Sequence, residues 1–257
     1  MVKAKATEKL TGITISGDFN DFYEIVESIY RMTGLEEDYG DRFWSVKNRL
    51  LGMCYDIRHA YMGDREIELI ENGVCDDIIR YHSMIMPKTA VYYSANFLFP
   101  EAVFVALSIS ELCESSLYLY GEKCKKIEGD DHIQYRFTDY IKDKAILDTL
   151  SAVILGALGH VIGDAELEKL IQFKHRQYGY IFAEYATQYV DKCNIDYLKT
   201  PLDKRKDKIK NITKRILQKP DAYKNMKRDL EYSAKVHNCS FHELHDPRIV
   251  YPENVEW

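Results

Sequence analysis

DRFWSVKNRLLGMCYDIRHAYMGDREIELIENG, residues Asp41 to Gly73, is the stretch on which the reading of the fold turns. Phe43, Val46, Leu50, Met53, Cys54, Ile57 and Tyr61 recur at spacings of three and four, so they form one stripe of a 3.6-residue helix. Asp41 stands at the N-cap position, and Gly63 follows the last apolar residue, where a left-handed C-terminal cap is expected. Beyond the helix, Glu66 to Ile70 alternates charged and apolar residues, the pattern of a half-exposed strand, and Asn72-Gly73 turns it.

Working outward, Leu10 to Ser16 (LTGITIS) reads as a strand rich in β-branched residues. Asn20 or Asp21 then caps a helix to about Met32, with Phe22, Ile25, Val26 and Ile29 inside, and an acidic loop spans Gly34 to Asp41. Asp76 to Met84 fits a short helix stopped by Pro87. Ala90 to Leu98 fits a buried strand, and Pro100-Glu101 opens an apolar helix. After a polar loop at 125–132 the pattern is helical: Tyr140 to Val161, then Ala165 to Cys193 after a stop at Gly163, then a basic helix from Leu202 to Lys219, and a last one from about Ala222 to His237. No repeat of solenoid period is present. The fold expected is α+β and predominantly helical, a small N-terminal sheet with packed helices followed by an all-helical C-terminal half. Its expected units are an α+β part over 1–124 and a helical part over 133–257, separate or continuous.

Composition narrows the class. A chain of 257 residues with 46% hydrophobic and 30% charged residues can bury a core of its own. Six cysteines without a CxxC pair read as free thiols, no apolar leader opens the chain, and the run Ile146 to Ile162 is short for a bilayer and carries Asp148 and His160. These point to a cytoplasmic protein with no membrane partner. The net charge of −6 conceals a basic segment, 199–228, with twelve Lys/Arg against three Asp. Such a segment on an acidic body suits a protein partner, with nucleic acid as a second partner class. Twenty tyrosines fit half-buried seams and contact surfaces, and homo-oligomer formation stays open.

Three groupings carry candidate chemistry. At the end of the central helix, His59 with Asp56 is an acid–base pair and Arg49, Arg58 and Arg65 are anion ligands, although basic residues at a helix C-terminus also serve its dipole. Arg49 and Asp56 share a flank but stand roughly 10 Å apart along the axis. In the basic helix, Lys206, Lys210 and Lys214 flank a narrow apolar face of Ile209, Ile212, Ile216 and Leu217, as phosphate or acidic-partner contacts or as a solvated face. In the tail, His237, Cys239, His242 and His245 are weak metal candidates whose spacing matches no zinc signature, so no metal and no cofactor is assigned. Glu101, Glu111 and Glu114 on the apolar helix need partners if buried, Glu101 serving equally in the first turn. GxxxxGK[ST], GxGxxG, GxSxG and HExxH are all absent, as is the arginine–histidine spacing of the helical HEPN ribonucleases.

At TGITISGDF, NRLLGMCYDIRHAYMGDRE and FPEA the first 115 or so residues resemble an uncharacterised bacterial domain family of unknown function. The resemblance implies a bacterial or phage setting and a compact domain, and assigns no catalytic residue. The reading that results is a non-enzymatic binding protein, with a role in bacterium–phage conflict from the setting alone. The alternative is an enzyme on a phosphate-bearing substrate, nucleotide or RNA, using the Asp56/Arg58/His59 cluster.

Overall fold

Isoleucines at every second position start the architecture. A computed structural model describes residues 1–34, 41–120 and 136–257. Strand β2 (Gly12–Gly17) turns Ile13 and Ile15 into the core, both fully buried, while Thr14 and Ser16 face the other way. It pairs with β1 (Lys3–Ala6) on one side and β4 (Thr89–Leu98) on the other, and β4 carries β3 (Glu66–Glu71) on its far edge. All pairings are antiparallel, in the order β1-β2-β4-β3. The strands expected at 10–16, 66–70 and 90–98 are present. The loop expected at 125–132, with Asp130, Asp131 and His132, lies outside the described residues, as do Cys124 and most of the acidic loop after Gly34.

Helix α1 (Phe19–Thr33) is capped by Asp18, not by Asn20 or Asp21. The Asp18 carboxylate accepts the Asp21 N–H, and the Asp21 carboxylate accepts the Asp18 N–H in return. Helix α2 (Trp44–His59) buries the predicted stripe, with Leu50, Cys54 and Ile57 entirely shielded. Asp41 starts it one turn early: its carboxylate accepts the Phe43 N–H and its carbonyl the Trp44 N–H. The helix ends in a wide turn over Ala60–Asp64, closed by Gly63 at φ +93°, a conformation a β-carbon would strain. A short exposed helix, α3 (Asp76–His82), joins β3 to β4. Helix α4 (Phe99–Ser116) is the axis of the core, with residues 102–107 all buried.

Helix α5 (Phe137–Ile162) packs on α1, α4 and β1, and Gly163 separates it from α6 (Asp164–His175). The single helix expected from Ala165 to Cys193 is instead two, α6 and α7 (Gln188–Leu198), with an irregular stretch at 176–187 between them. There the N–H groups find tertiary acceptors: Phe182 donates to the Glu111 carboxylate (2.8 Å), Glu184 to the Arg42 carbonyl and Ala186 to the Tyr223 hydroxyl. Phe182 and Tyr185 plug the core while Tyr178 points to solvent. Burial pushes the Glu111 carboxyl up, opposed only in part by the backbone N–H groups of Phe182 and Ile181. Helices α8 (Leu202–Gln218) and α9 (Asp221–His237) complete the helical half, and Ile209, Ile212, Ile216 and Leu217 are buried as expected. The tail then returns to the sheet. Thr11 donates to the Glu256 carbonyl, and a β-carbon on Gly12 would sit 2.8 Å from the Trp257 ring.

Buried apolar side chains of both halves form one continuous cluster. Two helices, Phe99–Leu119 and Phe137–Ile162, are long and apolar enough to cross a membrane by length and composition, and 67% and 39% of their most apolar windows are buried within the body. The halves are also joined by charge. Asp143 of α5, without solvent exposure, accepts two hydrogen bonds from Arg31 of α1 (2.6 and 2.7 Å), one from Ser28 (3.0 Å) and one from Tyr120 (3.1 Å). Removing one partner strands the other's charge. Asp143→Ala is therefore expected to lower unfolding free energy by about 3–5 kcal/mol in urea titrations. A loss under about 1 kcal/mol would show that the pair is dispensable.

Candidate functional site

The charged end of α2 is built by the wide turn that follows it. Gly63 folds the chain back, so Arg65 reaches Asp56 (2.7 Å) and Asp64 reaches Nδ1 of His59 (2.7 Å). The expected His59–Asp56 pair is thus replaced by two others. Arg58 turns inward, donating to the Tyr30 hydroxyl (3.3 Å), while its buried Nε meets no acceptor. Beside it, burial pushes the Cys54 thiol up to about 11, which removes it as a nucleophile at neutral pH. Arg58 and Arg65 have separate partners and do not converge with Arg49 on one anion site.

Arg49 faces the opposite side of α2. It donates to Glu101 of α4 (3.2 Å), to the Thr187 carbonyl (3.2 Å) and to the Asp191 carboxylate of α7. Burial opposes its charge, but Asp191 and Glu101 outweigh burial and hold the guanidinium above its ordinary value. Tyr251 of the tail closes the group, donating to Asp191 (2.7 Å) and accepting from Asn194 (2.9 Å). Glu101 thus does more than complement the first turn of α4.

Next to this network lies a polar cleft of about 360 Å³, lined by Ser45, Asn48, Arg49, Gln188, His242 and His245 among others. Ser45 Oγ and His242 Nδ1 stand 2.8 Å apart. Gln188 clamps the tail, donating to the Leu244 carbonyl (2.7 Å) and accepting the Asp246 N–H (2.8 Å). With two carboxylates on Arg49, the cleft presents no uncompensated cation for a phosphate. Ser45, Gln188, Asp191 and Tyr251 carry no local sequence signal, because their partners arrive from distant segments.

Of the basic-helix candidates, Lys206 and Lys214 are exposed and Lys210 lies near Asp207 (3.7 Å). The tail candidates do not assemble: His237 and His245 are exposed and His242 is engaged with Ser45. Among the described residues no three His, Cys, Asp or Glu side chains gather as a metal site.

An apolar surface is left uncovered among the described residues. β3 and α3 bury no side chain. Ile67 and Leu69 lie on the core face of the sheet, in register with Tyr93 and Val91, yet the helical layer stops short of them and leaves them 53% and 69% exposed. Ile78, Tyr81, Met84 and Ile85 extend this exposure along the connection to β4.

A family model described as a domain of unknown function, DUF6904, matches residues 2–257. The chain belongs to that family. Membership extends beyond the first 115 residues that carry the resemblance and takes in the basic helical half. No curated protein and no solved structure matches the chain. The family fixes no chemistry, so the site rests on its own geometry.

The Ser45–His242 contact has a pH signature. Burial, then the nearby Lys227, pushes the His242 imidazole below its ordinary value. Both folded and unfolded chains carry it neutral above about pH 6.5, and below that the unfolded chain protonates first. Stability should therefore fall as pH drops below about 6.5 until the folded imidazole also titrates. Urea midpoints at pH 7.5 and 5.5 should show a smaller acid loss in His242→Gln than in the parent. Equal losses would contradict this.

Proposed function

We propose that the protein is a non-enzymatic, cytoplasmic binding protein that engages a protein partner through the arm formed by residues 62–91. The observation that carries this reading is an edge strand, β3, whose apolar side chains lie on the core face but outside the core. Contiguous exposed apolar surface is kept small on soluble monomers unless it meets something. An unpaired strand edge adds a row of backbone donors and acceptors that a partner strand satisfies. The arm is anchored by β4, so it is held in place before binding.

The basic segment supports a second contact. Its apolar face is spent on the core, which leaves Lys206 and Lys214 for an acidic protein surface or nucleic-acid phosphates. The phosphate-substrate alternative has less support, since Arg49 and Arg65 each already meet a carboxylate. A bacterial or phage setting, with a place in their conflict, is proposed on the resemblance alone.

The test is capture of partner proteins by tagged full-length chain, read by quantitative mass spectrometry, with Ile67→Asp/Leu69→Asp as comparison. Burying a Leu or Ile is worth roughly 1.5–3 kcal/mol, so the double variant should lose at least about tenfold in partner recovery. Its own stability should change little, because neither side chain is in the core. Undiminished recovery would remove the arm from the binding surface.

A further inference from the structure

Among the described residues the sheet has two unpaired edges, and they differ in charge. β1 presents Lys3 and Lys5, neither with a carboxylate partner among the described residues, and Lys3 lies 5.5 Å from the Tyr92 ring centre. β3 presents Glu66, Glu68 and Glu71, none of which meets a cation among the described residues. We infer that the β3 edge of one copy receives the β1 edge of a second copy, extending the sheet head to tail. This names the occupant of the arm and so rests on the docking reading above.

Direction, face and register agree. Every neighbouring pair is antiparallel, so β1 and β3 run oppositely, and an incoming β1 on the β3 edge continues the alternation. The rows Lys3–Ser16, Ser16–Ser94 and Ser94–Glu66 place Lys3, Lys5, Glu66 and Glu68 on one face, with Glu71 on the other. Ala4 and Ala6 fall on the opposite face with Ile67 and Leu69, which is the face toward α5. One antiparallel register then sets Lys3 opposite Glu68, Lys5 opposite Glu66, Ala4 opposite Ile67 and Val2 opposite Leu69. A one-residue slip would put lysine on the apolar face, which fixes the register.

The alternative self-pairing is worse. In the registers that set Ile67 opposite Ile67 or Leu69 of a second copy, β3 against β3 puts Glu66 opposite Glu68 or Glu68 opposite Glu68, and like charges in directly opposed positions destabilise. The β1–β3 contact also answers the exposure of Ile67 and Leu69. Added beyond β1, they would sit on the face of the sheet that α5 packs against. Because the two surfaces differ, the contact is heterologous and propagates as a ring or an open chain.

Sedimentation velocity on the full chain over roughly a hundredfold range of concentration tests this. The wild-type protein should form concentration-dependent species that grow beyond a dimer and weaken with salt. Lys3→Glu/Lys5→Glu and Glu66→Lys/Glu68→Lys should each associate roughly tenfold or more weakly than wild type. Their equimolar mixture, and the variant carrying all four reversals, should recover assembly, which misfolding could not mimic. A wild type that stays monomeric throughout, reversal variants that assemble like wild type, or a mixture that fails to assemble would each overturn the inference. Were the chain monomeric while capture of another protein still required Leu69, the self-contact would fall and the docking reading would stand. Loss of both would remove the two together.

Discussion

A carboxylate with no access to water must be met by donors, and Asp143 is where the front and back of this chain meet that demand together. Arg31 and Ser28 come from α1, Tyr120 from the segment just after α4, and the acid itself from α5. The same logic recurs at Glu111, which organises the irregular stretch at 176–187, and at Asp191, which with Glu101 takes up Arg49. Each acid is too far from its donors in sequence for local structure to satisfy it. The helical layers must therefore dock in one arrangement for these charges to be tolerated, and the apolar cluster packs around that arrangement.

This explains what is left outside. The buried charges hold α1, α2, α4 and α5 over β1, β2 and β4, with α7 packed on α4, and the cover ends before β3. The hairpin from β3 to β4 is longer than the layer beneath it, so Ile67 and Leu69 continue the core face into solvent. The charged end of α2 lies at the base of this arm but pairs internally, Asp56 with Arg65 and His59 with Asp64. Exposed pairs of that kind contribute little to stability, so their effect is chiefly to fix how the wide turn at Gly63 launches β3. The polar cleft beside Arg49 is a separate feature, built where the tail crosses α2 and α7.

What was legible in the sequence is what local periodicity controls. The stripe from Phe43 to Ile57, the alternation through Ile13 and Ile15 and the apolar face of the basic helix all follow from where water must be excluded. Partner choice was not legible. The Glu111 acceptor for Phe182 is 71 residues away, so helical spacing alone ran α6 and α7 together. Asp191 lies 142 residues from Arg49, and His242 lies 197 from Ser45. His59 meets Asp64 and not Asp56 because a wide turn, unlike a standard helix end, brings Asp64 back over it. The strand EIELIE was evident from alternation, but whether its apolar side would be covered depends on where the helices stop.

Native-state hydrogen exchange, followed amide by amide in dilute protein, tests the account most directly. Slow amides of α1, α2, α4, α5 and α7 should share one opening free energy, equal to that of global unfolding, while β3 and α3 exchange through a much smaller local opening. Two distinct free energies dividing the chain between residues 120 and 136, or β3 amides as protected as those of α4, would contradict it.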